Sequence, residues 1–340
     1  MRKLFVRLLK RLTKSLDEEQ EIICLPEKIK ENQETQKEEL QPEAEIISPI
    51  EIEEAEKKPA HKPKKKASCE IKSFDPRDIM EVMEVPFLAL SKNRTAPIKY
   101  ESQDGSIKVN ISRHTNHYVA SIYDWDIILF AASKMQEVIN SGSDIPPRTL
   151  IVPRNELLKA IHKHDAHKQQ KDLKASLNRL KSTLIETTIR NEDGKYDAGF
   201  GFLDSWGYTE REDIKEIKIT LSQWLYDGIC KKGSLLKVSQ EYFTITSGLK
   251  KFLYRTARKH VGNQNATWEF AIETLYEKSG SEQELRKFKH DLKKIIKENN
   301  IPGYLLEWIE RDGQSYVLFI NARKEIKRML SEPNDQPNLT

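Results

Sequence analysis

The stretch SEQELRKFKHDLKKIIKENNIPGYLLEWIERDGQSYVLFI, residues 281–320, decides the fold prediction for this chain. Apolar residues recur at helical spacing in its first half, namely Leu285, Phe288, Leu292, Ile295 and Ile296. The sequence therefore predicts a helix over 281–300. In the second half the apolar period becomes two, and the turn RDG separates YLLEWIE (304–310) from QSYVLFI (314–320). These two runs predict a β-hairpin.

Two further helices are predicted before this stretch, in GLKKFLYRTARKHVG (248–262) and WEFAIETLYEKSG (268–280). The order is therefore three helices followed by a two-stranded hairpin. This order is typical of a winged helix-turn-helix, although other α+β domains share it.

The same order is predicted once more, nearer the amino terminus. Three helix candidates are DWDIILFAASKMQEVI (124–139), RNELLKAIHKH (154–164) and HKQQKDLKASLNRLKSTL (167–184). The runs IETTIR (185–190) and AGFGFLDSWGYTE (198–210), joined by NEDGKYD (191–197), then predict a hairpin. A strand, KEIKITL (215–221), and a helix, SQWLYDGI (222–229), follow. Residue identity between the two copies is low, so the pattern repeats rather than the sequence.

We therefore predict an α+β fold with two winged helix-turn-helix domains in tandem, preceded by a long disordered charged N-terminal tail. The chain has 340 residues, of which 37% are hydrophobic and 32% are charged, and this balance indicates that part of it does not fold. The predicted segments are a basic amphipathic segment at 1–16, an acidic and then Lys-rich disordered linker at 17–73, a first domain at 74–240, a second at 241–330 and a disordered tail at 331–340.

The basic segment MRKLFVRLLKRLTKSL (1–16) carries six cations, no acid and leucines at helical spacing. It could lie on an anionic membrane, dock into the groove of a protein partner, or form only an unstable helix at a flexible end. The run KKPAHKPKKK (57–66) suits non-specific phosphate contact, and it could equally be a charged spacer.

The third helix of each predicted domain is the candidate DNA-binding element. On a helical wheel, Leu173, Leu177, Leu180 and Leu184 share the inward face of the first. The opposite face and its flank carry Lys168, Lys171, Lys174, Asn178, Arg179 and Ser182. The corresponding residues of the second helix are Gln283, Arg286, Lys287, His290, Lys294 and Lys297. The two turns would be wings, with Lys195 and Arg311 placed to reach the DNA backbone.

These side chains suit a major groove, because Arg and Lys donate to guanine or phosphate and Asn or Gln pairs with adenine. A solvated charged face is the alternative interpretation. If both helices bind one duplex, we expect them about one helical turn, roughly 34 Å, apart.

Catalytic and metal chemistry find little support in the sequence. His162, His164 and His167 lie near one another, but neighbouring lysines disfavour a cation, so we expect structural or DNA-facing histidines. A phosphate-binding G-x-x-x-x-G-K-[ST] motif is absent. Cys24, Cys69 and Cys230 form no CxxC pair, which is typical of reduced thiols in a cytosolic protein, and no run of 18 apolar residues predicts a spanning helix. We therefore expect no enzymatic activity, no cofactor and no metal.

Several blocks of the chain resemble the plasmid replication initiator protein A family. They are LKASLNRLKSTLIETTIR (173–190), FLDSWGYTE (202–210), ITLSQWLYDGI (219–229), VSQEYFTI (238–245), KKFLYRTARKHVG (250–262) and LYEKSGSEQELRKFKHDL (275–292). The resemblance covers about residues 75–320 and leaves the tail outside. It implies a tandem winged-helix initiator that recognises origin DNA, often short repeats, recruits host replication proteins and, as in many such initiators, changes between dimer and monomer.

The resulting prediction is a protein that starts plasmid replication by sequence-specific binding of double-stranded origin DNA. Its expected partners are host replication proteins such as a helicase and an initiator, together with a second copy of the chain. Its expected location is the cytoplasm, at the nucleoid or the plasmid. A transcriptional repressor or partition protein of the same fold, and a rolling-circle nicking endonuclease, remain alternatives.

Overall fold

Residues 74–114, 116–142, 145–190, 199–211, 214–262 and 265–331 are those that the computed structural model describes. The predictions for the basic segment 1–16, the linker 17–73, the turn 191–197 and Lys195 lie outside these residues. So does the predicted tail, except for Ser331, which ends the last helix.

Short elements come first in the described chain. They are β1 (Arg77–Ile79), α1 (Met80–Glu84), β2 (Ile98–Glu101) and β3 (Lys108–Arg113). None of these elements is predicted from the sequence, because each run is too short to show a clear period.

The first repeat begins with a helix that is buried on most sides. Its elements are α2 (Trp125–Asn140), β4 (Thr149–Pro153), α3 (Arg154–Ala160), α4 (His167–Ser182), β5 (Thr183–Thr187), β6 (Leu203–Arg211) and β7 (Ile214–Leu221). Ten consecutive or near-consecutive residues of α2, from Trp125 to Met135, are buried, as expected for a helix that is apolar nearly all round. β4, β7 and β6 form an antiparallel sheet in that order.

A short connection leads to the second repeat. It contains α5 (Gln223–Cys230), β8 (Leu235–Lys237) and a 3₁₀ turn at Gln240–Thr244. β8 pairs antiparallel with β1. The predicted helix at 222–229 is thus confirmed within a residue, with Ser222 as its N-cap accepting from the amide of Leu225.

The second repeat has the same order of elements, except that its described residues contain no counterpart of β5. They are α6 (Gly248–His260), β9 (Thr267–Ala271), α7 (Ile272–Ser279), α8 (Leu285–Glu298), β10 (Tyr304–Arg311) and β11 (Gln314–Asn321), followed by α9 (Ala322–Ser331). The sheet order is β10–β11–β9. In both repeats the strand between the first and second helices therefore pairs with the last strand.

The predicted hairpin at 304–320 is confirmed. Arg311 pairs with Gln314 across a two-residue turn, in which Asp312 and Gly313 have φ values of 53° and 76°. Two positive φ angles match the right-handed twist of the flanking strands, which is why the Asp-Gly pair marks this turn in the sequence.

Two predicted helices were too long, one at its amino-terminal end and the other at its carboxyl-terminal end. Residues 267–271 form β9 rather than helix, because Trp268 and Phe270 alternate across a strand that pairs with β11. The predicted helix at 154–164 is confirmed only over α3, and the strand β4 just before it was missed. α3 ends early because His162 has a positive φ of 55°, which a helix does not accommodate.

The predicted hairpin between 185–190 and 198–210 was also wrong. β5 pairs with β3 in a separate sheet, β2–β3–β5, whereas β6 pairs with β7. The two predicted arms meet at a single antiparallel bridge between Ile185 and Phe200. The period of two identified the strands, but it does not specify which strand pairs with which.

The two repeats share one hydrophobic core. It runs from Ile79 through Trp125 and Leu177 to Leu253 and Phe319. The described residues all belong to one compact unit, and the predicted boundary between residues 240 and 241 falls inside it. No helix in the described ranges is long and apolar enough to cross a membrane.

Candidate nucleic-acid interface

The inward face of α4 is largely as the sequence predicts. Leu173, Leu177 and Leu180 are buried in the shared core. Leu184, assigned to the same face, is instead 43% exposed. The helix ends at Ser182 and Leu184 belongs to β5, where alternate residues point outward, so the helical wheel no longer applies.

The opposite face of α4 presents a row of cations. Lys168, Lys171 and Lys174 are exposed, and none of the three forms an ion pair within the described ranges. Asn178 and Ser182 are partly buried, and the Ser182 hydroxyl donates to the Asn178 carbonyl at 2.7 Å. Lys181, which the sequence analysis did not select, is exposed as well.

Arg179 is not on this open face. Its Nε and Nη2 donate to the two carboxylate oxygens of Asp124 at 2.9 and 2.7 Å. The Arg179 side chain is 12% exposed and that of Asp124 is fully buried. This bidentate pair holds α4 against the start of α2, so the guanidinium is occupied by a carboxylate inside the protein. The prediction that Arg179 faces solvent opposite the leucines was wrong for this reason.

α8 carries the corresponding face in the second repeat. Phe288, Leu292 and Ile295 are buried, while Leu285 and Ile296 are partly buried, as predicted. The opposite side has five exposed cations or histidines, namely Arg286, Lys287, His290, Lys294 and Lys297. Within the described ranges none of these five forms an ion pair.

Gln283 lies before α8 rather than on it. The helix begins at Leu285, and the preceding residues form a turn in which the Ser281 hydroxyl accepts from the Gln283 amide at 3.2 Å. The Gln283 carbonyl accepts from the Tyr276 hydroxyl at 2.6 Å. The predicted start at 281 was therefore too early, and Gln283 occupies the entrance to α8.

Two other cations of α8 are engaged with neighbouring elements. Lys289 pairs with Glu273 of α7 at 2.7 Å, and the ammonium of Lys293 lies 4.3 Å from the ring centre of Trp308. Lys289 and Lys293 therefore lie between the exposed cations of α8 and its buried apolar face.

Arg311 lies at the tip of the β10–β11 hairpin, as predicted, but it is already paired. Its Nη2 is 2.7 Å from Glu269, and its guanidinium lies over the Tyr316 ring at 4.8 Å. The neighbouring Glu310 and Asp312 are exposed acids. The tip of this hairpin is therefore nearly neutral or acidic, unlike the face of α8.

In the first repeat the antiparallel hairpin after α4 consists of β6 and β7, which pair from Leu203 with Leu221 to Arg211 with Ile214. Lys195 precedes β6 in the chain and lies outside the described residues.

The three neighbouring histidines His162, His164 and His167 have different surroundings in the structure. Nε2 of His162 lies 3.1 Å from the Gln240 side-chain oxygen, and its ring packs against Phe243. His164 and His167 are exposed. Within the described residues no group of three or more His, Cys, Asp or Glu side chains is arranged to hold a metal ion.

Comparisons with known proteins identify the family. Residues 77–306 match the family model described as replication initiator protein A. The match spans well over half of the chain, and the protein belongs to this family of replication initiators.

A relative is the "Putative replication protein" of Wigglesworthia glossinidia brevipalpis. It is 32% identical over 243 residues, which cover 70% of this chain and 86% of the relative. Among solved structures, domains 2 and 3 of RctB align with a TM-score of 0.51 at 16% identity, covering 71% of this chain and 98% of that one. The two chains share a mixed α and β fold.

Proposed function

We propose that this replication initiator binds origin DNA sequence-specifically through two winged helix-turn-helix units and so starts plasmid replication. The assignment of the units rests on the order helix–strand–helix–helix–strand–strand. It occurs twice with the same sheet order, with β5 of the first repeat as an additional strand that pairs in another sheet. In such units the third helix enters the major groove. These helices are α4 and α8.

The observation that carries this proposal is the cationic outward row on both third helices. Each has exposed lysines or arginines with no ion-pair partner in the described part of the chain, and each packs its other side into the core. A phosphate backbone would supply the missing counter-charge. Base readout would come from Lys, Arg, Asn178 and His290, whose donors and acceptors match the groove edges of guanine and adenine.

The two hairpins contribute less in this proposal than the helices. Arg311 can reach a phosphate only by leaving Glu269, and the nearby acids repel DNA. We therefore assign phosphate binding in the second repeat mainly to Lys287, Lys294 and Lys297.

The remaining steps of initiation are assigned to partners. The initiator recruits host replication proteins, a helicase and the host initiator among them, and works in the cytoplasm on plasmid DNA, alone or as a homodimer. We propose that the chain itself has no enzymatic activity, so that strand opening comes from DNA deformation and from recruited proteins.

The test is footprinting on the DNA that flanks the protein's own gene, with a scrambled duplex as competitor and with varied salt. Protection of a discrete set of repeats is expected. One short palindrome at the promoter would instead support a repressor, and diffuse binding that salt abolishes would refute specific recognition. The origin fragment together with this gene should also replicate in a host, which a repressor would not achieve.

A pair of variants locates the DNA-binding face. Replacing Lys287 and Lys294 with Ala should lower affinity and reduce the slope of log affinity against log salt by about 2, since each phosphate contact contributes roughly 0.9. Arg311→Ala should change the slope little, because Glu269 already neutralises that cation. The matched control removes Lys231 and Lys237, which are exposed and paired with Glu81 and Asp75 near β8. An equal loss in the control would contradict the assignment of α8.

A further inference from the structure

Helix α6 places two buried cations against the amino-terminal part of the chain. Lys251 and Arg255 lie one helical turn apart and both are almost fully buried. Nζ of Lys251 is 2.7 Å from Asp126 of α2, and Nε of Arg255 is 2.7 Å from Asp78 of β1. Each pair therefore joins the first helix of the second repeat to elements that precede or begin the first repeat.

Both carboxylates are held at the start of α2. Asp126 belongs to the first turn of this helix, and Asp78 accepts from the indole nitrogen of Trp125 at 2.8 Å. Arg255 donates to both oxygens of Asp78, at 2.7 and 3.3 Å, which defines the rotation of the guanidinium as well as its position. The ammonium of Lys251 also lies 4.0 Å from the ring centre of Tyr242 in the connection between the repeats.

Helices α2 and α6 are also joined by ion pairs to the candidate DNA-binding helices α4 and α8. Asp124, which precedes α2, binds Arg179 of α4. Lys250 of α6, next to Lys251, lies 2.7 Å from Glu298 at the end of α8. Successive ion pairs therefore join α4 to the start of α2, α2 to α6, and α6 to α8.

Charged side chains in a buried interface carry a large desolvation cost. Removing an ion pair from water costs much of what its attraction returns, and apolar residues of similar volume often stabilise as well or better. Apolar surfaces, however, allow neighbouring helices to slide, whereas a hydrogen-bonded ion pair in a dry site allows one geometry. One such pair joins α6 to α2 and a second joins α6 to β1, whose Asp78 also accepts from Trp125 of α2. Their presence indicates that the angle between the repeats matters.

We propose that Lys251 and Arg255, with Asp126 and Asp78, are positioning residues that hold the second repeat at one fixed angle to the first. This angle sets the spacing at which α4 and α8 present their cations to one DNA segment. The positioning itself is a property of the protein alone, while its use in DNA recognition rests on the proposed function.

The direct test is a distance measurement between the repeats. Spin labels are attached to Asp172→Cys in α4 and Asn300→Cys just after α8, both exposed, in the full chain with Cys24, Cys69 and Cys230 replaced by Ser. The parent should give one narrow distance distribution. The variant Asp126→Asn with Lys251→Met, which keeps the net charge, should give a broadened or shifted distribution while its unfolding stays cooperative. A narrow, unshifted distribution in this variant, or a broad one in the parent, would overturn the proposal.

Two further variants separate positioning from folding. Lys289→Met removes a pair of the same length that lies within the second repeat, and it should leave the distribution unchanged. Arg255→Lys keeps the charge but loses the bidentate hydrogen bonding to Asp78, so it should broaden the distance distribution. Loss of cooperative unfolding in both Arg255→Lys and the Asp126/Lys251 variant would show that these pairs hold the fold itself, which also contradicts a positioning role.

The DNA measurement uses the segment protected in the footprint. The Asp126/Lys251 variant should lose about tenfold or more in affinity for it, because the second helix no longer binds at the effective concentration that a fixed spacing provides. Affinity for a scrambled duplex should not change, since both cationic rows are intact. If the parent binds no specific DNA, the proposed function fails, while the distance measurement still decides the positioning role. Unchanged specific affinity together with a broadened distribution would overturn the link to recognition.

Discussion

At the scale of single residues, neighbouring cations of one helix have different roles. Lys171 and Arg179 lie two turns apart on α4, and the first is exposed whereas the second is paired with a fully buried carboxylate. Both side chains are cationic, so their charge does not distinguish them. The difference arises because Asp124, 55 residues earlier in the chain, lies under one of them.

Arg179→Ala should destabilise the fold by about 3–5 kcal/mol, because it leaves the Asp124 carboxylate buried without its partner. Lys171→Ala should change the free energy of unfolding by less than about 0.5 kcal/mol, since it removes only an exposed side chain. Urea unfolding measures both. Equal stabilities of the two variants would contradict the role assigned to Arg179, and reduced DNA affinity of Lys171→Ala at unchanged stability would support its place on the binding face.

Glu84 illustrates a carboxylate that makes stability depend on pH. Burial raises its pKa, but hydrogen bonds from His260, Lys259 and Lys278 outweigh burial and hold the pKa well below its ordinary value of 4.5. The distances to Lys278 and His260 are 2.6 and 3.4 Å. These contacts join the end of α1 to α6 and α7.

Because the folded pKa of Glu84 is depressed, its contribution to stability is present above pH 4.5 and is lost as the pH falls toward the folded value. Glu84→Gln should therefore be less stable than the parent at neutral pH, and the difference should shrink in acid. Urea unfolding at a series of pH values measures this. A difference that stays constant across the acid range would contradict the ion-pair explanation.

At the scale of elements, the segment 267–279 shows why a sequence pattern can be assigned to the wrong structure. Its apolar residues suit a helix, yet the first five residues form β9 because β11 offers a strand edge to pair with. Without β9 the second repeat would lack the three-stranded sheet that supports α8. The local spacing of apolar residues favours a helix, but hydrogen bonds to a strand about fifty residues away decide the conformation.

The start of α6 depends on a close approach of two backbones. A Cβ on Gly248 would lie 2.0 Å from the carbonyl oxygen of Leu90, a main-chain atom that cannot rotate away. Gly248→Ala should therefore cost about 1–3 kcal/mol in unfolding free energy. Gly207→Ala in β6 is the control, because nothing lies within 4 Å of its Cβ position. Similar effects of the two substitutions would contradict this packing.

At the scale of the whole molecule, the two repeats are joined rather than merely adjacent. Their core is continuous, and a buried ion pair connects α2 with α6. A fragment of residues 68–340 should therefore unfold in one cooperative step. Circular dichroism and tryptophan fluorescence, with Trp125 in the first repeat and Trp268 in the second, should give coincident transitions. Two separated transitions would show that the repeats are independent domains.

Much of the architecture could be predicted from the sequence. The leucines of α4 and the apolar residues of α8 repeat every three to four residues, and the Asp-Gly turn marks the last hairpin. The family blocks added the correct class of protein. The strand pairing of β5 with β3, the strand β9 and the pairing of Arg179 could not be predicted, because each depends on residues far along the chain.

The sequence by itself determined the approximate positions of the long helices α2, α4, α6 and α8, which sides of α4 and α8 face inward, and that a similar pattern occurs twice. These properties follow from periods of two and about 3.6 residues, which are local. Only the tertiary structure decided which cations remain exposed and how the repeats are joined. Lys251 and Asp126 are 125 residues apart, and no local pattern relates them. Their pairing exists only because folding brings α2 and α6 together in a dry interior, where a buried charge requires a partner.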